Sequence, residues 1–121
     1  MKQLTKAEEE IMQYLWQLEL ASVKELIGLF PEPKPAYNTV STIIRILETK
    51  GFVDHQQKGK GYLYYPTITK ETYSKQTTHR LVEGYFQGSF KSMVSFFTKS
   101  NDISVNDLEA ILKEIQSKKG K

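Results

Sequence analysis

Apolar residues recur along this chain first at helical spacing, then at strand spacing, then at helical spacing again. Ala7, Ile11, Leu15 and Leu18, with Met12 and Trp16 beside them, predict one side of a first helix. Thr5 and Glu8 stand three apart at its start, as a capping box requires, and Glu8, Glu9 and Glu10 complement the positive end of the helix dipole. Ser22 and Glu25 repeat the box and open a shorter helix with Val23, Leu26, Ile27 and Phe30 inward, stopped by Pro31, Pro33 and Pro35. A third helix follows, with Val40, Ile43, Ile44 and Leu47 at i, i+3, i+4 and i+7. Asn38 is its expected N-cap, and Lys50 with Gly51 its expected end, Gly51 being free to adopt the left-handed C′ conformation. The face opposite the apolar stripe carries Thr39, Ser41, Thr42, Arg45 and Glu48. Short hydroxyls and one guanidinium suit close approach by another molecule better than the Glu/Lys mixture of an ordinary solvated face.

The period then changes. Phe52–Gln56 reads as a strand, Gln57-Lys58-Gly59-Lys60-Gly61 as a glycine-rich turn with two lysines and no acid, and Tyr62–Pro66 as an aromatic strand. Three helices followed by a ribbon with a basic tip is the order of a winged helix-turn-helix, in which the third helix enters the major groove and the wing lies on phosphates. The fold class expected is therefore mostly α with a small β-ribbon (α+β), with a winged helix-turn-helix over residues 1–68 and a helical region over 69–121.

In that second region Thr69 caps a polar helix with a patchy stripe, Gly84 and Gly88 interrupt it, and Ser89–Lys99 places Phe90, Met93, Val94 and Phe97 at helical spacing. Asn101-Asp102 breaks the pattern again. Ser104 and Asp107 then cap a last helix with Val105, Leu108, Ile111, Leu112 and Ile115 on one face, before a basic tail, Ser117–Lys121. About fifty residues cannot bury this much apolar surface alone. A homodimer is expected, held by Phe86, Phe90, Met93, Val94, Phe97, Leu108, Ile111, Leu112 and Ile115.

Composition narrows the function classes. At 121 residues the chain is one ordinary domain, or a small domain with an assembly segment, and 39% hydrophobic residues suffice for a core. Without cysteine, and with only His55 and His79, it offers no thiolate site and no histidine cluster, so neither metal nor cofactor is expected. No nucleophile–base arrangement or carboxylate pair stands out, and an enzyme is not expected. The absence of a long apolar run or a signal-like N-terminus leads to an expectation of a cytoplasmic protein without membrane insertion. Net charge is +3, and residues 1–68 hold as many acids as bases, so any attraction to nucleic acid is local to a face.

The run Leu4-Thr5-Lys6-Ala7-Glu8 with Leu15-Trp16, the run Tyr37-Asn38-Thr39-Val40-Ser41-Thr42 with Arg45 and Leu47, Lys50-Gly51-Phe52-Val53-Asp54-His55, and Gly61-Tyr62 through Tyr65-Pro66 together resemble the penicillinase-repressor (BlaI/MecI-type) family of winged-helix regulators. The resemblance covers essentially the whole chain. It implies a dimeric repressor of palindromic double-stranded operator DNA that a regulatory protease inactivates by cutting the dimerisation region. Carried across by position, the DNA-contacting residues are Ala36, Tyr37, Asn38, Thr39, Ser41, Thr42 and Arg45, with Lys58 and Lys60 on the wing. Family members often carry basic residues where this chain has Ser41 and Ile46. The family's scissile Asn-Phe position is Phe96-Phe97 here, and the paired C-terminal cysteines of its copper-responsive branch are absent. A winged-helix module that binds only proteins is the alternative. For Arg45 taken by itself, a guanine edge, a phosphate, and a solvent-facing side chain balanced by Glu48 all remain open.

Overall fold

The computed structural model describes residues 3–119, so the end of the basic tail, Gly120 and Lys121, lies outside the described residues. The elements run α1 (Lys6–Leu18), α2 (Val23–Leu29), α3 (Tyr37–Thr49), β1 (Val53–Lys58), β2 (Gly61–Pro66), α4 (Lys70–Tyr85), α5 (Phe90–Lys99) and α6 (Val105–Lys119). They group into two compact units, Met1–Ser74 and Lys75–Lys121.

In the first unit both capping boxes form: Thr5 and Ser22 accept from the backbone of Glu8 and Glu25, whose carboxylates accept in return. The core is built from Ile11, Met12 and Leu15 of α1, Leu26 of α2, Val40, Ile44 and Leu47 of α3, and Phe52, all almost fully enclosed. Each such side chain contributes about 1.5–3 kcal/mol relative to exposure. On α1 the inward set is rotated from the expectation: Ala7 is exposed and Glu8 is buried. The reason is electrostatic, because Glu8 Oε1 accepts from both the Thr5 amide (2.9 Å) and the Lys50 ammonium (2.7 Å).

The start of α3 also differs from expectation. Its N-cap is Ala36, in extended conformation and without a side-chain cap, and Asn38 lies inside the first turn. Pro35 holds the chain extended up to Ala36, and the helix begins directly after it. The other end matches the expected glycine stop. Gly51 has φ +89°, its amide donates to the Glu48 carbonyl (3.0 Å), and the Phe52 amide donates to the Leu47 carbonyl (2.9 Å). These two bonds define a Schellman motif, and buried Phe52 and Leu47 are its apolar pair.

β1 and β2 are antiparallel, with Lys58 opposite Gly61 and Val53 opposite Pro66. The ribbon is longer than its sequence pattern predicts, because only Gly59 and Lys60 remain as the turn. Gly59 alone takes positive φ (+60°), which suits a two-residue hairpin with glycine first. A bridge that the pattern does not signal anchors it: Ala21, in the α1–α2 connection, exchanges both backbone bonds with Tyr64 (2.9 and 2.8 Å). After the ribbon, the Trp16 indole donates to the Ile68 carbonyl (2.8 Å), and Tyr73 donates its hydroxyl to Glu9 (2.6 Å). These contacts draw the first turn of α4 into the first unit.

The second unit holds the remainder of α4 with α5 and α6. Ser89 caps α5, Asn101 ends it at φ +68°, and Ser104 with Asp107 caps α6. Phe86, Phe96 and Phe97 cluster with centroids 5.3–6.4 Å apart. Among its described residues only Val82 is buried. No described helix is long and apolar enough to cross a membrane.

Candidate nucleic-acid interface

The N-terminus of α3 is open. No side chain caps it and its first turn holds no acid, so its leading amides and the positive end of the helix dipole face outward uncompensated. Ala36, Tyr37, Asn38 and Thr39 surround this end and are all exposed, as are Thr42 and Arg45 farther along the helix. Hydroxyl and amide groups in front of free backbone donors, with a guanidinium two turns farther along the helix, form a surface that accepts an anion and offers hydrogen bonds.

Ser41 does not share that placement. It is 9% exposed, and its Oγ accepts from Arg45 Nη2 at 3.1 Å. The sequence reading put Ser41 on the outward face. It lies instead at the edge between core and surface, one turn before Arg45, where it holds the guanidinium close to the helix.

Farther along, Glu48 pairs with Nδ1 of His55 in β1, tying the helix to the ribbon. The His55 ring stands edge-on to Tyr62 (4.8 Å) and tilted to Tyr64 (5.8 Å). Burial, then the Glu48 carboxylate, push the Tyr64 phenol above its ordinary pKa, with Arg45 opposing them. Nothing in the one-dimensional pattern announces this junction, because Glu48 and His55 sit in different elements. Glu48, Asp54 and His55 each bring one ligating atom to within 4.8 Å of the others, the group of described residues that could hold a metal ion. Glu48 is already bonded to His55, and Asp54 accepts from the His55 amide (2.8 Å), so the group is satisfied as it stands.

The wing carries Lys58 at the end of β1 and Lys60 in the turn, both exposed. Two other lysines of this unit are engaged in holding the fold. Lys34 donates to the carbonyls of Ile27, Gly28 and Phe30 (3.3, 3.2 and 2.6 Å) and so closes the end of α2, while Lys50 is bound by Glu8. Arg45, Lys58 and Lys60 are the cations that the sequence-predicted surface brings to α3 and the ribbon.

In the second unit Phe90, Ile111, Leu112 and Ile115 are 42–55% exposed, and Phe86, Met93, Val94, Phe97 and Leu108 are half-buried. Phe96 is 57% exposed, and Phe96-Phe97 lies inside α5.

Residues 4–117 match the family model described as penicillinase repressor. The chain is 28% identical over 118 residues to the methicillin resistance regulatory protein MecI of Staphylococcus aureus, covering 97% of this chain and 95% of that protein. It is 26% identical over 121 residues to the penicillinase repressor of Bacillus licheniformis, covering 97% and 94%. The solution structure of the DNA-binding domain of the repressor BlaI superposes with a TM-score of 0.51 at 26% identity, over 59% of this chain and 88% of that one. The multiple antibiotic resistance repressor MarR superposes with a TM-score of 0.52 at 18% identity, over 93% of this chain and 76% of that one, a likeness of fold alone.

Proposed function

The chain belongs to the penicillinase repressor family, and from that premise we propose that it is a transcriptional repressor that binds palindromic operator DNA as a homodimer. Residues 1–68 are the reader and 69–121 the dimerising region. The observation that carries the reading is the uncapped N-terminus of α3 with Tyr37, Asn38 and Thr39 exposed, in the same unit as a hairpin tip with exposed Lys58 and Lys60. In the bound state α3 enters the major groove, Asn38, Thr39 and Thr42 approach bases or phosphates, and Arg45 meets a guanine edge or a phosphate. Ala36 and Tyr37 flank the backbone at the helix start, Ser41 orients Arg45, and Lys58 and Lys60 meet phosphates of the neighbouring groove.

Surplus apolar surface supports the dimer. Two copies that share the faces of Phe90, Ile111, Leu112 and Ile115 present two α3 helices to half-sites one helical turn or a multiple of it apart. Proteolytic release at Phe96-Phe97 requires α5 to unwind first, since proteases take extended backbone and this bond is inside a helix.

A footprint on the DNA upstream of the gene and its neighbours tests the reading. Protection of a two-fold site by the full chain at near-physiological salt, lost in Arg45→Ala, is the expected result. Absence of any protected site at micromolar protein overturns it and leaves a protein-binding winged helix.

A further inference from the structure

The outward face of α3 carries one large aliphatic side chain among its hydroxyls. Ile46 is 40% exposed, one turn after Thr42 and one turn before Thr49. Thr42, Arg45, Ile46, Thr49 and Lys50 line an open depression of about 400 Å³. Its polar groups are largely turned away. Thr49 donates its hydroxyl back to the Arg45 carbonyl (3.0 Å), Arg45 Nη2 is drawn to Ser41, and Lys50 Nζ is drawn to Glu8. What these residues leave toward the depression is a methyl group and hydrocarbon stems, with Ile46 between them.

The major groove has one apolar mark, the C5-methyl of thymine. Guanine there needs donors, and the amino groups of cytosine and adenine lose a bond with water when pressed against an aliphatic chain. From Thr42 to Thr49 the helix rises about 10 Å, the length of roughly three base-pair steps. Resting on the assignment of α3 as the DNA reader, we propose that Ile46, with Thr42 and Thr49, reads thymine C5-methyl groups, which makes Ile46 a specificity-determining residue for thymine-bearing half-sites. Arg45 and the wing lysines supply attraction, and Ile46 discriminates by fit.

The test removes the thymine methyl from the DNA side and the branched aliphatic chain from the protein side. The full chain selects its tightest duplex from randomised DNA, and each thymine of that duplex is replaced singly by deoxyuridine, which lacks only the C5-methyl. At one or two positions per half-site the wild type should lose about fourfold in affinity, the worth of one methyl-sized group taken out of water. In Ile46→Ala, whose thermal melting is recorded in parallel, deoxyuridine at those positions should cost nothing further, and Ile46→Val should restore part of the discrimination. Equal deoxyuridine costs in wild type and Ile46→Ala, or no cost anywhere, overturn the thymine reading. If Arg45→Ala still abolishes duplex binding in that case, DNA binding by α3 stands and only the role of Ile46 falls. If no duplex is selected, both fall, and the depression belongs to a protein partner.

Discussion

Glu8 and Lys50 join the N-terminal turn of α1 to the end of α3, and removing either charge should be felt across the first unit. The Glu8 side chain is 6% exposed and that of Lys50 is 22%. Burial pushes the Glu8 carboxyl up, but the hydrogen bond and charge of Lys50, together with the Thr5 amide and hydroxyl, outweigh it and hold the pKa below its ordinary value. Lys50→Met leaves the carboxylate its Thr5 bonds and no countercharge in a site nearly closed to water. Breaking a buried pair from one side costs about 3–5 kcal/mol. The partial exposure of Lys50 lowers that to about 2–3 kcal/mol, or roughly 10–20 °C in Tm for a unit of this size. Glu8→Gln keeps an acceptor for Thr5, and the released ammonium can turn to solvent, so its cost is about 1–1.5 kcal/mol.

The double variant Glu8→Gln with Lys50→Met buries no charge and should be more stable than Lys50→Met alone. The pH dependence follows from the direction of the Glu8 shift. A carboxylate held low in the folded state contributes stability that is complete above its unfolded pKa and is lost as pH falls through its folded one. The deficit of Lys50→Met relative to wild type should therefore shrink on acidification, as Glu8 takes up a proton and no longer needs a partner. Thermal unfolding by circular dichroism, at neutral pH and in steps downward, measures all four proteins. Additive losses in the double variant, or a Lys50→Met deficit that does not change with pH, would refute the coupling.

Lys58→Ala and Lys60→Ala should each weaken binding to every duplex and flatten the dependence of log K on log salt by about one phosphate. Affinity titrations at several salt concentrations read this, and a loss confined to one DNA sequence contradicts it. Gly51→Ala should destabilise by about 1–2 kcal/mol, because its φ of +89° strains any L side chain although a Cβ there meets nothing within 4 Å. Gly28→Ala, in open space inside α2, should instead stabilise by about 0.4–1 kcal/mol, and urea unfolding separates the two signs. Leu112→Lys with Ile115→Lys should shift the chain from dimer to monomer in sedimentation and leave the melting of the first unit in place. A dimer that persists would move the interface elsewhere.

The helices of the first unit were legible because each carries its own signal: Thr5 with Glu8, Ser22 with Glu25, and Lys50 with Gly51 are local devices within a few residues of the ends they mark. The functional face was legible only in outline, because its details depend on long-range partners. Ser41 looks like one more outward hydroxyl until Arg45 reaches back to it, Glu8 looks like a solvated cap until Lys50 arrives from α3, and Lys50 reads as a free basic end until Glu8 claims it. The Asn38 expectation failed for a local reason of another kind, since Pro35 and Ala36 start the helix before Asn38 can cap it.

The same distinction explains why the proposed reader and the proposed assembly surface differ in what the sequence discloses. On the proposed reading α3 leaves its first amides free, and only the structure discloses this, because the sequence offers Asn38 as a cap that does not form. An assembly face is visible only as surplus. Ile111, Leu112 and Ile115 repeat at helical spacing whatever covers them, so periodicity shows surplus apolar surface without showing the shape of a cover. In the proposed dimer the spacing of two α3 helices would rest on the least specific part of the pattern, and base preference on single residues such as Arg45 and Ile46. Substitutions on α6 should accordingly change which half-site separations are bound, and substitutions on α3 which bases are.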